Sequence, residues 1–430
     1  MHGLKKTALQ ILYPLERIFK IDLKYLASGG FWTGVSFFVG LVGSIVSMVA
    51  FGNLLPRETY GTYSYLLSLG ASLSFLTLSG TGTAVMRAVA RGYENVVPYA
   101  LKMQLKWNTL ACLTILAVAT YYGYKGNFLF ATSLALLVLA YPIAETFHVY
   151  KSILTGKKRF DTLMKMTTVT TLIGTIATVW ILLLTDNILS LIILYMVMSI
   201  IPNIIAYKLS IRDIDQSQPD ENQIMEMRRT SLHQTGAGII GIIASYIDKV
   251  VLFQVAGPAV LAVYTFAIAG PDRLKSLAKN LMSVGFPSLT SRSLDQIEKV
   301  VYWRILLSLI VGVGFFVIYW FLSPVLFKLF LPKYLDAVSY SRVLSLGIIF
   351  IPVSTYFGGI FAGQNMLRAT YVLNLINHTI RIILFLIFGW MWQIWGLIVA
   401  SIASQFINAF AGLVIWWVES KRLIRINEIK

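Results

Sequence analysis

Residues 167–207 read TTVTTLIGTIATVWILLLTDNILSLIILYMVMSIIPNIIAY, and the single charge in that run is Asp186. A helix crossing the hydrocarbon layer needs about 20 mostly apolar residues. The run supplies two such stretches, 167–184 and 187–207, separated by a turn too short for anything but a hairpin. The solvent of this chain is lipid. Composition agrees, with 57% hydrophobic against 13% charged residues and a mean hydropathy of +0.73, a balance that a polar surface around a soluble core does not give.

Working outward, runs of the same kind recur a dozen times. On the N-terminal side of the quoted hairpin they fall at 29–52, 62–84, 107–124 and 127–150. Beyond it come 232–255, 259–285, 302–322, 343–363, 371–390 and 394–418. The expectation is an all-α integral membrane protein of about 12 transmembrane helices. Lysine and arginine exceed aspartate and glutamate by 36 to 19, which in a soluble protein would suggest nucleic acid. Membrane proteins instead collect such bases in their cytoplasmic loops, so nucleic acid is excluded as a partner. Alternate gaps bear this out: one side offers only Arg57, Lys125, Lys328 and Lys333, and the other holds most of the rest. The chain is therefore expected in the cytoplasmic membrane with both termini cytoplasmic.

Residues 1–28 lack a continuous apolar core and a small-residue cleavage site, so they do not read as a signal peptide. Leu12, Leu15, Phe19, Leu23 and Leu26 at helical spacing, among Lys5, Lys6, Arg17, Lys20 and Lys24, predict a cytoplasmic interfacial helix; a partner-docking helix is the alternative. The longest gap, 208–231, is a charged linker that bisects the chain. Its position predicts two six-helix lobes, 29–207 and 232–418, followed by a cytoplasmic tail, 419–430. A shift of 201 residues lays VAFGNLLPRETYGTYSYL (49–66) on VVLFQVAGPAVLAVYTFA (250–267), matching Val49 with Val250 and Tyr63 with Tyr264. The first hairpin of each half thus recurs.

Ionisable residues inside spans carry the chemistry, because each costs about 2.5–3.5 kcal/mol at a helix centre. The apolar run 259–270 is too short to cross alone, so Pro271, Asp272, Arg273, Lys275 and Lys279 are drawn into the eighth span. Asp272 can pair with Lys275 at a three-residue spacing. Gly270 and Pro271 are read as a helix break and restart. The seventh span carries Asp248 and Lys249, the eleventh carries Asn374, Asn377, His378 and Arg381, and Arg87 and Arg91 close the second. The predicted substrate site is a cationic cavity of Arg87, Arg273, Lys275, Lys279 and Arg381, suited to a diphosphate; snorkelling or structural pairing is the alternative. Asp248 and Lys249 are read as an ion pair or gate, with ion coupling also open for Asp248. Glu145 and His148 stand near one helical turn apart, as a proton relay requires, or else reach interfacial water.

Pro142, Pro202 and Pro352 are expected to kink their helices, and Gly34, Gly40 and Gly43 to permit close packing. Trp390, Trp392, Trp395, Trp416 and Trp417 read as an interfacial belt rather than a sugar platform. Cys112 sits in an apolar run as a packing residue, and a lone cysteine builds neither a disulfide nor a zinc site. The GxxxxGK[ST], HExxH and GxSxG signatures are absent from the sequence, so no cofactor, metal or enzymatic activity is expected.

The stretch LLPRETYGTYSYLLSLGASLSFLTLSGTGTAVMR (54–87) resembles the opening hairpin of the polysaccharide transporter, or O-antigen flippase, family of the multidrug/oligosaccharidyl-lipid/polysaccharide (MOP) exporter superfamily. In that family a loop like R-x-L-x-P-E-x-Y/F-G leads into a helix ending in glycine, small residues and arginine. IDKVVLFQVAGPAVLAVYTFA (247–267), LFLPKYLDAVSYSRVLSLGI (329–348) and 358–396, with AGQNMLRATYVLNLINHTIRI and the closing IWG, look like later family signatures in order. The resemblance implies a MATE-like pair of pseudo-symmetric lobes and alternating access for a polyprenyl (undecaprenyl) diphosphate-linked oligosaccharide. It places the family's acid–base pair on Asp248 and Lys249 and its helix-closing arginine on Arg87. Surface polysaccharide synthesis, such as O-antigen, capsule or exopolysaccharide, would then be the setting. Membrane lipids, a polysaccharide polymerase and glycosyltransferases would be the partners. One departure is the first span, where related flippases carry a basic residue and 29–52 has none. A cation-coupled drug exporter is the first rival, but would want acids where this chain has bases. A membrane-embedded polymerase or glycosyltransferase, which would need a long outer loop, and a scaffold protein follow.

Overall fold

The computed structural model describes residues 23–214, 217–283 and 294–429, and these form helices joined by short turns with no strand among them. In lipid each backbone N–H and C=O must be satisfied within its own segment, which selects helices. The first half comprises α1 (Leu23–Leu54), α2 (Arg57–Ser72) with a 3-10 extension (Leu73–Leu76), α3 (Thr81–Ala90), α4 (Val97–Tyr124), α5 (Phe128–Phe147), α6 (Val149–Gly156), α7 (Phe160–Leu184) and α8 (Ile188–Ser210). The second comprises α9 (Glu221–Ser283), α10 (Leu294–Phe330), α11 (Ala337–Ser345), α12 (Ile351–Gly363) and α13 (Leu367–Ile429). Local chemistry sets the starts. Asn127 and Asn187 cap α5 and α8, their side-chain oxygens accepting from Phe130 N (3.2 Å) and Leu189 N (2.9 Å).

Among the described residues eight helices are long and apolar enough to cross a membrane, or nine when α2 and α3, bent by 59°, count as one broken span. Two of the eight, Glu221–Asn280 and Leu367–Arg422, are 60 and 56 residues long, two to three times the length one crossing needs. Both double back. In α9 the Tyr264 hydroxyl donates to Asp248 Oδ2 at 3.0 Å across 16 residues, which a straight helix would hold about 24 Å apart. The reversal is at Gly257 (φ 81°, ψ 179°), backbone territory open essentially to glycine, and Pro258 restarts the helix. In α13 it is at Gln393 (φ 50°), and Gly396 packs on the Phe388 carbonyl with no room for a Cβ. The expected dozen passes is reached only if α4 is added, a helix of spanning length with Lys102, Gln104, Lys106 and Asn108 in its first half.

Counting the passes in turn assigns the turns near 90–97, 156–160, 210–221 and 363–367 to one end, the basic face, and those at 54–57, 125–127, 257, 330–337 and 393 to the other. Three cores follow from this. The largest lies toward the base-poor face and joins both halves, with Leu55, Tyr65 and Leu66 packed among Leu252, Tyr264, Phe266 and Tyr334. Toward the basic face lie two smaller cores, and there the start of α9 packs on α3, with the Gly80 amide donating to Thr235 at 2.9 Å. Val85, Val96, Tyr150 and Ile153 belong to a core of the first half, and Ile297, Phe357, Ile360 and Trp416 to a core of the second. Large apolar side chains such as Phe38, Ile176, Trp180, Ile310 and Phe321 point outward, as lipid-facing residues do.

Several expectations change. The N-terminal interfacial helix falls largely outside the described residues, and α1 already begins at Leu23. Part of the linker, from Glu221, is helical and continues into the next pass, with Met227 buried in the first half's core. No break occurs at Gly270–Pro271, because α9 stays helical there and Gly270 lets the Tyr319 ring pack against the backbone. A bilayer helix tolerates a proline when neighbours support it. Pro352 lies in the first turn of α12 instead of its interior, so it starts that helix. Of three glycines expected at close contacts, only Gly43 has one, a Cβ there meeting Thr175 Oγ1 at 2.7 Å. Trp390, Trp392, Trp395 and Trp417 are exposed, whereas Trp416 is buried in the core.

The halves approach closely at Gly61, whose Cα faces the Pro258 carbonyl with no space for a methyl group. Gly61→Ala forces the two apart, at an expected cost of about 1–3 kcal/mol. Its thermal unfolding midpoint in detergent should fall well below that of Gly236→Ala, where a Cβ meets open space. Equal midpoints would disprove the close contact.

Candidate functional site

The ionisable residues within the membrane gather mainly in the second half. Asp248, 3% exposed, accepts from the Tyr264 hydroxyl and from the Lys249 amide (2.8 Å). No base lies within ion-pair distance of it among the described residues, so the expected pair with Lys249 is not formed. Adjacent residues on a helix point in different directions, and a phenol takes the partner's place. Lys275 is bonded to Asp272 at 3.0 Å, the pairing its three-residue spacing predicts. Arg273 and Lys279 are exposed on the same helix. Arg381 is half-buried with its guanidinium 5.0 Å from the centre of the Phe385 ring, and its Nε makes no hydrogen bond among the described residues. It lies within electrostatic reach of Tyr264 and His378, and Lys279 also reaches His378.

The structure thus brings together Asp248, Tyr264, His378, Arg381 and Lys279, with the Asp272–Lys275 pair alongside. An unspent guanidinium N–H and the free ammonium of an exposed lysine can grip a phosphate oxygen, and an arginine does so through a planar fork. Arg87 stands apart. It is exposed at the basic end of α3, beside a recess of about 40 Å³ shared with Arg91, Gln223 and Glu226, where Arg91 pairs with Glu226. Glu145 and His148 are half-buried in the first half. Glu145 lies within electrostatic reach of Lys151, Tyr141, Tyr195 and Tyr246, so Tyr246 of α9 faces the first half while Asp248, two residues on, faces the second. Among the described residues no group of three or more His, Cys, Asp or Glu gathers as a metal site would.

Two features escaped the sequence reading. The first is a clamp across the base-poor face. Arg57 holds Asp336 in a fork, Nη1 to Oδ2 at 2.7 Å and Nη2 to Oδ1 at 3.0 Å, and also donates to the Lys333 carbonyl. Its guanidinium stands 4.8 Å from the Tyr334 ring centre. In return Lys333 Nζ donates to Asn53 O (2.6 Å), and Asn53 Nδ2 to Phe330 O (2.7 Å). Beneath lies an aromatic stack, Tyr60 on Phe266 (4.6 Å) and Phe266 on Tyr334 (4.4 Å). In the sequence Arg57 and Lys333 served only to mark the base-poor side; the partners lie more than 270 residues apart. The second is a cavity of about 310 Å³ between α1, α7 and α8.

The family described as "Polysaccharide biosynthesis protein" matches residues 26–269 and 274–428. No curated protein sequence matches the chain. Among solved structures, the inward-facing conformation of a multidrug resistance MATE family transporter of the MOP superfamily superposes with a TM-score of 0.69 at 16% identity, over 91% of this chain and 98% of that one. The outward-facing conformation of a transporter of that description gives 0.60 at 15% identity, over 94% and 96%. A MOP superfamily transporter from Pyrococcus furiosus, described with a binding pocket of reversed polarity that suggests a different function, gives 0.60 at 16% identity, over 93% and 96%. The fold of this chain is MATE-like.

Because both partners of the Arg57–Asp336 fork are partly exposed, the ion pair and the cation–π contact together are expected to be worth about 1 kcal/mol. Spin labels on Tyr124→Cys and Leu335→Cys, in a chain whose sole cysteine is removed by Cys112→Ala, report the spacing of the halves at this face. Arg57→Ala should enlarge a longer-distance population by about five-fold, the equivalent of 1 kcal/mol. An unchanged distribution would mean that the clamp does not hold the face closed.

Proposed function

The chain belongs to the polysaccharide biosynthesis protein family, and from that premise we propose that it is a flippase for polyprenyl diphosphate-linked oligosaccharides in surface polysaccharide synthesis. The observation that carries this reading is the cationic cluster of Lys279 and Arg381, with an unpartnered Arg381 Nε inside a membrane-spanning half. A charge retained there at a cost of a few kcal/mol is expected to be functional. The cargo's diphosphate is the anion it would meet, with Arg273 and Arg87 drawing it in from the basic face and the sugars following. The lipid tail stays in the bilayer.

The division of cores supports a route. With the basic face cytoplasmic, as the distribution of bases predicts, the halves are joined on the outer side by the Arg57 clamp and the largest core, and on the inner side the joint narrows to the start of α9 against α3, at Met227 and where the Gly80 amide donates to Thr235. The cluster is then entered from the cytoplasmic leaflet, where lipid-linked sugars are assembled. Translocation requires the clamp to open and the inner cores to close, with no covalent chemistry. Two lobes related by a local twofold would exchange these states symmetrically. Ser64 and Thr265, equivalent under the shift of 201, hydrogen-bond to each other at 3.4 Å, and a residue that touches its own equivalent lies on such an axis. Asp248, held by Tyr264 across the Gly257 reversal, fixes the two arms of α9 and so shapes the gate; Glu145 and His148 remain the candidates for a proton relay. A cation-exporting relative would need carboxylates where Lys279 and Arg381 stand.

Cells lacking the protein should accumulate lipid-linked repeat units on the cytoplasmic leaflet and lose surface glycan. Arg381→Ala and Lys279→Ala, inserted at normal levels, should each lower surface glycan by about ten-fold or more, since a hydrogen bond to a charged group is worth about 1.5–3 kcal/mol. No accumulation in the deletion strain would refute the flippase reading. Full surface glycan from both variants would refute the placement of the anion.

A further inference from the structure

The cavity between α1 and α7 has a wall unlike the rest of the membrane-embedded surface. On α7, Thr171, Gly174, Thr175 and Thr178 line it, while Leu172, Ile173, Ile176 and Trp180 on the other side of the helix are exposed as lipid-facing residues. On α1, Gly40, Gly43, Ser44 and Ser47 line it, with Phe37, Phe38, Val42 and Val46 outward. Both helices therefore turn their hydroxyls and small residues inward at spacings of three and four, the period of one helical face. The pocket is not a lipid groove.

Its hydroxyls are of two kinds. Ser44 and Thr178 spend theirs on their own helix, donating to Leu41 O and Gly174 O at 2.8 Å. Those of Ser47, Thr171 and Thr175 make no hydrogen bond among the described residues and border the cavity. These three hydroxyls are only half-buried and open onto the cavity, so they are free to bond a guest that both donates and accepts. None of the lining side chains is a carboxylate or a base, so an ionic ligand would lack its counter-charge. Phe51 stacks on Tyr63 at 5.4 Å in the same wall, which adds an aromatic surface. Tyr195, which lines the cavity, has its ring 6.5 Å from that of Tyr141, which in turn packs 3.2 Å from the Cβ position of Gly70 in α2. That connects the pocket to the region around Glu145 and Tyr246, between the halves.

We propose that this pocket binds a neutral sugar of the cargo, so that the first half reads the glycan while the second half holds the diphosphate. The inference rests on the flippase reading and adds to it a second subsite of opposite character. At about 310 Å³ it lies at the small end of ligand pockets, about 300–1,000 Å³, and takes a terminal sugar, not a whole repeat unit.

The test measures binding to the purified full-length protein in nanodiscs with three probes: bare polyprenyl diphosphate, the same lipid bearing its oligosaccharide, and the free oligosaccharide. The native protein should bind the glycan-bearing lipid about ten-fold more tightly than the bare one, and the free sugar weakly. Thr171→Val and Thr175→Val together remove two hydroxyls at nearly constant shape. They should bring that ratio to near one and leave affinity for the bare lipid diphosphate unchanged, whereas Lys279→Ala should weaken both lipids equally. Ser47→Ala, a smaller change, should lower the ratio in the same direction and serves if the double variant does not fold. A ratio of one in the native protein, or an unaltered ratio in the folded variants, overturns the sugar site while leaving the flippase reading intact. Failure of the native protein to bind either lipid diphosphate overturns that reading, and this inference with it.

Discussion

An unpaired charge in the hydrocarbon layer costs a few kcal/mol, and every polar group of this chain within the bilayer is arranged around that cost. Backbone groups are spent in helices. Asp248 is closed off by the Tyr264 hydroxyl and an amide of its own helix, and Lys275 by Asp272. Several buried polar atoms of the described residues have no hydrogen bond, and the charged one among them is Arg381 Nε in the second half; in the first half the half-buried hydroxyls of Ser47, Thr171 and Thr175 open onto a cavity. On the proposed reading, the anionic and the neutral parts of one cargo would meet these two places.

The same constraint shapes the joint between halves. Contacts on the base-poor face need a directional partner for each polar group, and Arg57, Asn53, Lys333 and Asp336 satisfy one another there above a stack of aromatic rings. Toward the basic face the joint is narrower: one core belongs to the second half, and the other is the first half's with Met227 of α9 set into it, where the Gly80 amide also donates to Thr235. The joint on the base-poor face combines these partly exposed polar contacts with the close packing at Gly61 and the largest apolar core, which joins both halves.

Much of the fold was legible because apolar run length is a direct measure of bilayer thickness. The hairpins at Asn127 and Asn187 and the Asp272–Lys275 pair followed from local rules and are found as expected. Two Gly-Pro pairs tested the limits of such rules. Gly257–Pro258 reverses the chain, but Gly270–Pro271 does not, since Tyr319 packs on Gly270 and rewards continuity, a long-range contact that the local sequence does not express. Asp248 was expected to face a base and instead meets a phenol sixteen residues away. The hydroxyl pocket was visible only in part: Gly40 and Gly43 suggested packing, and the threonines of α7 became significant once α1 was seen opposite them. The clamp was invisible, being assembled from residues more than 270 positions apart.

The central claim is that this membrane fold moves an anionic lipid-linked sugar. It is tested most directly in proteoliposomes holding the purified protein and a polyprenyl diphosphate-linked oligosaccharide, by following how much glycan an external lectin can reach. The account predicts protein-dependent exchange between leaflets that is inhibited by bare polyprenyl diphosphate. Exchange no faster than in protein-free vesicles, or exchange indifferent to that competitor, would contradict it.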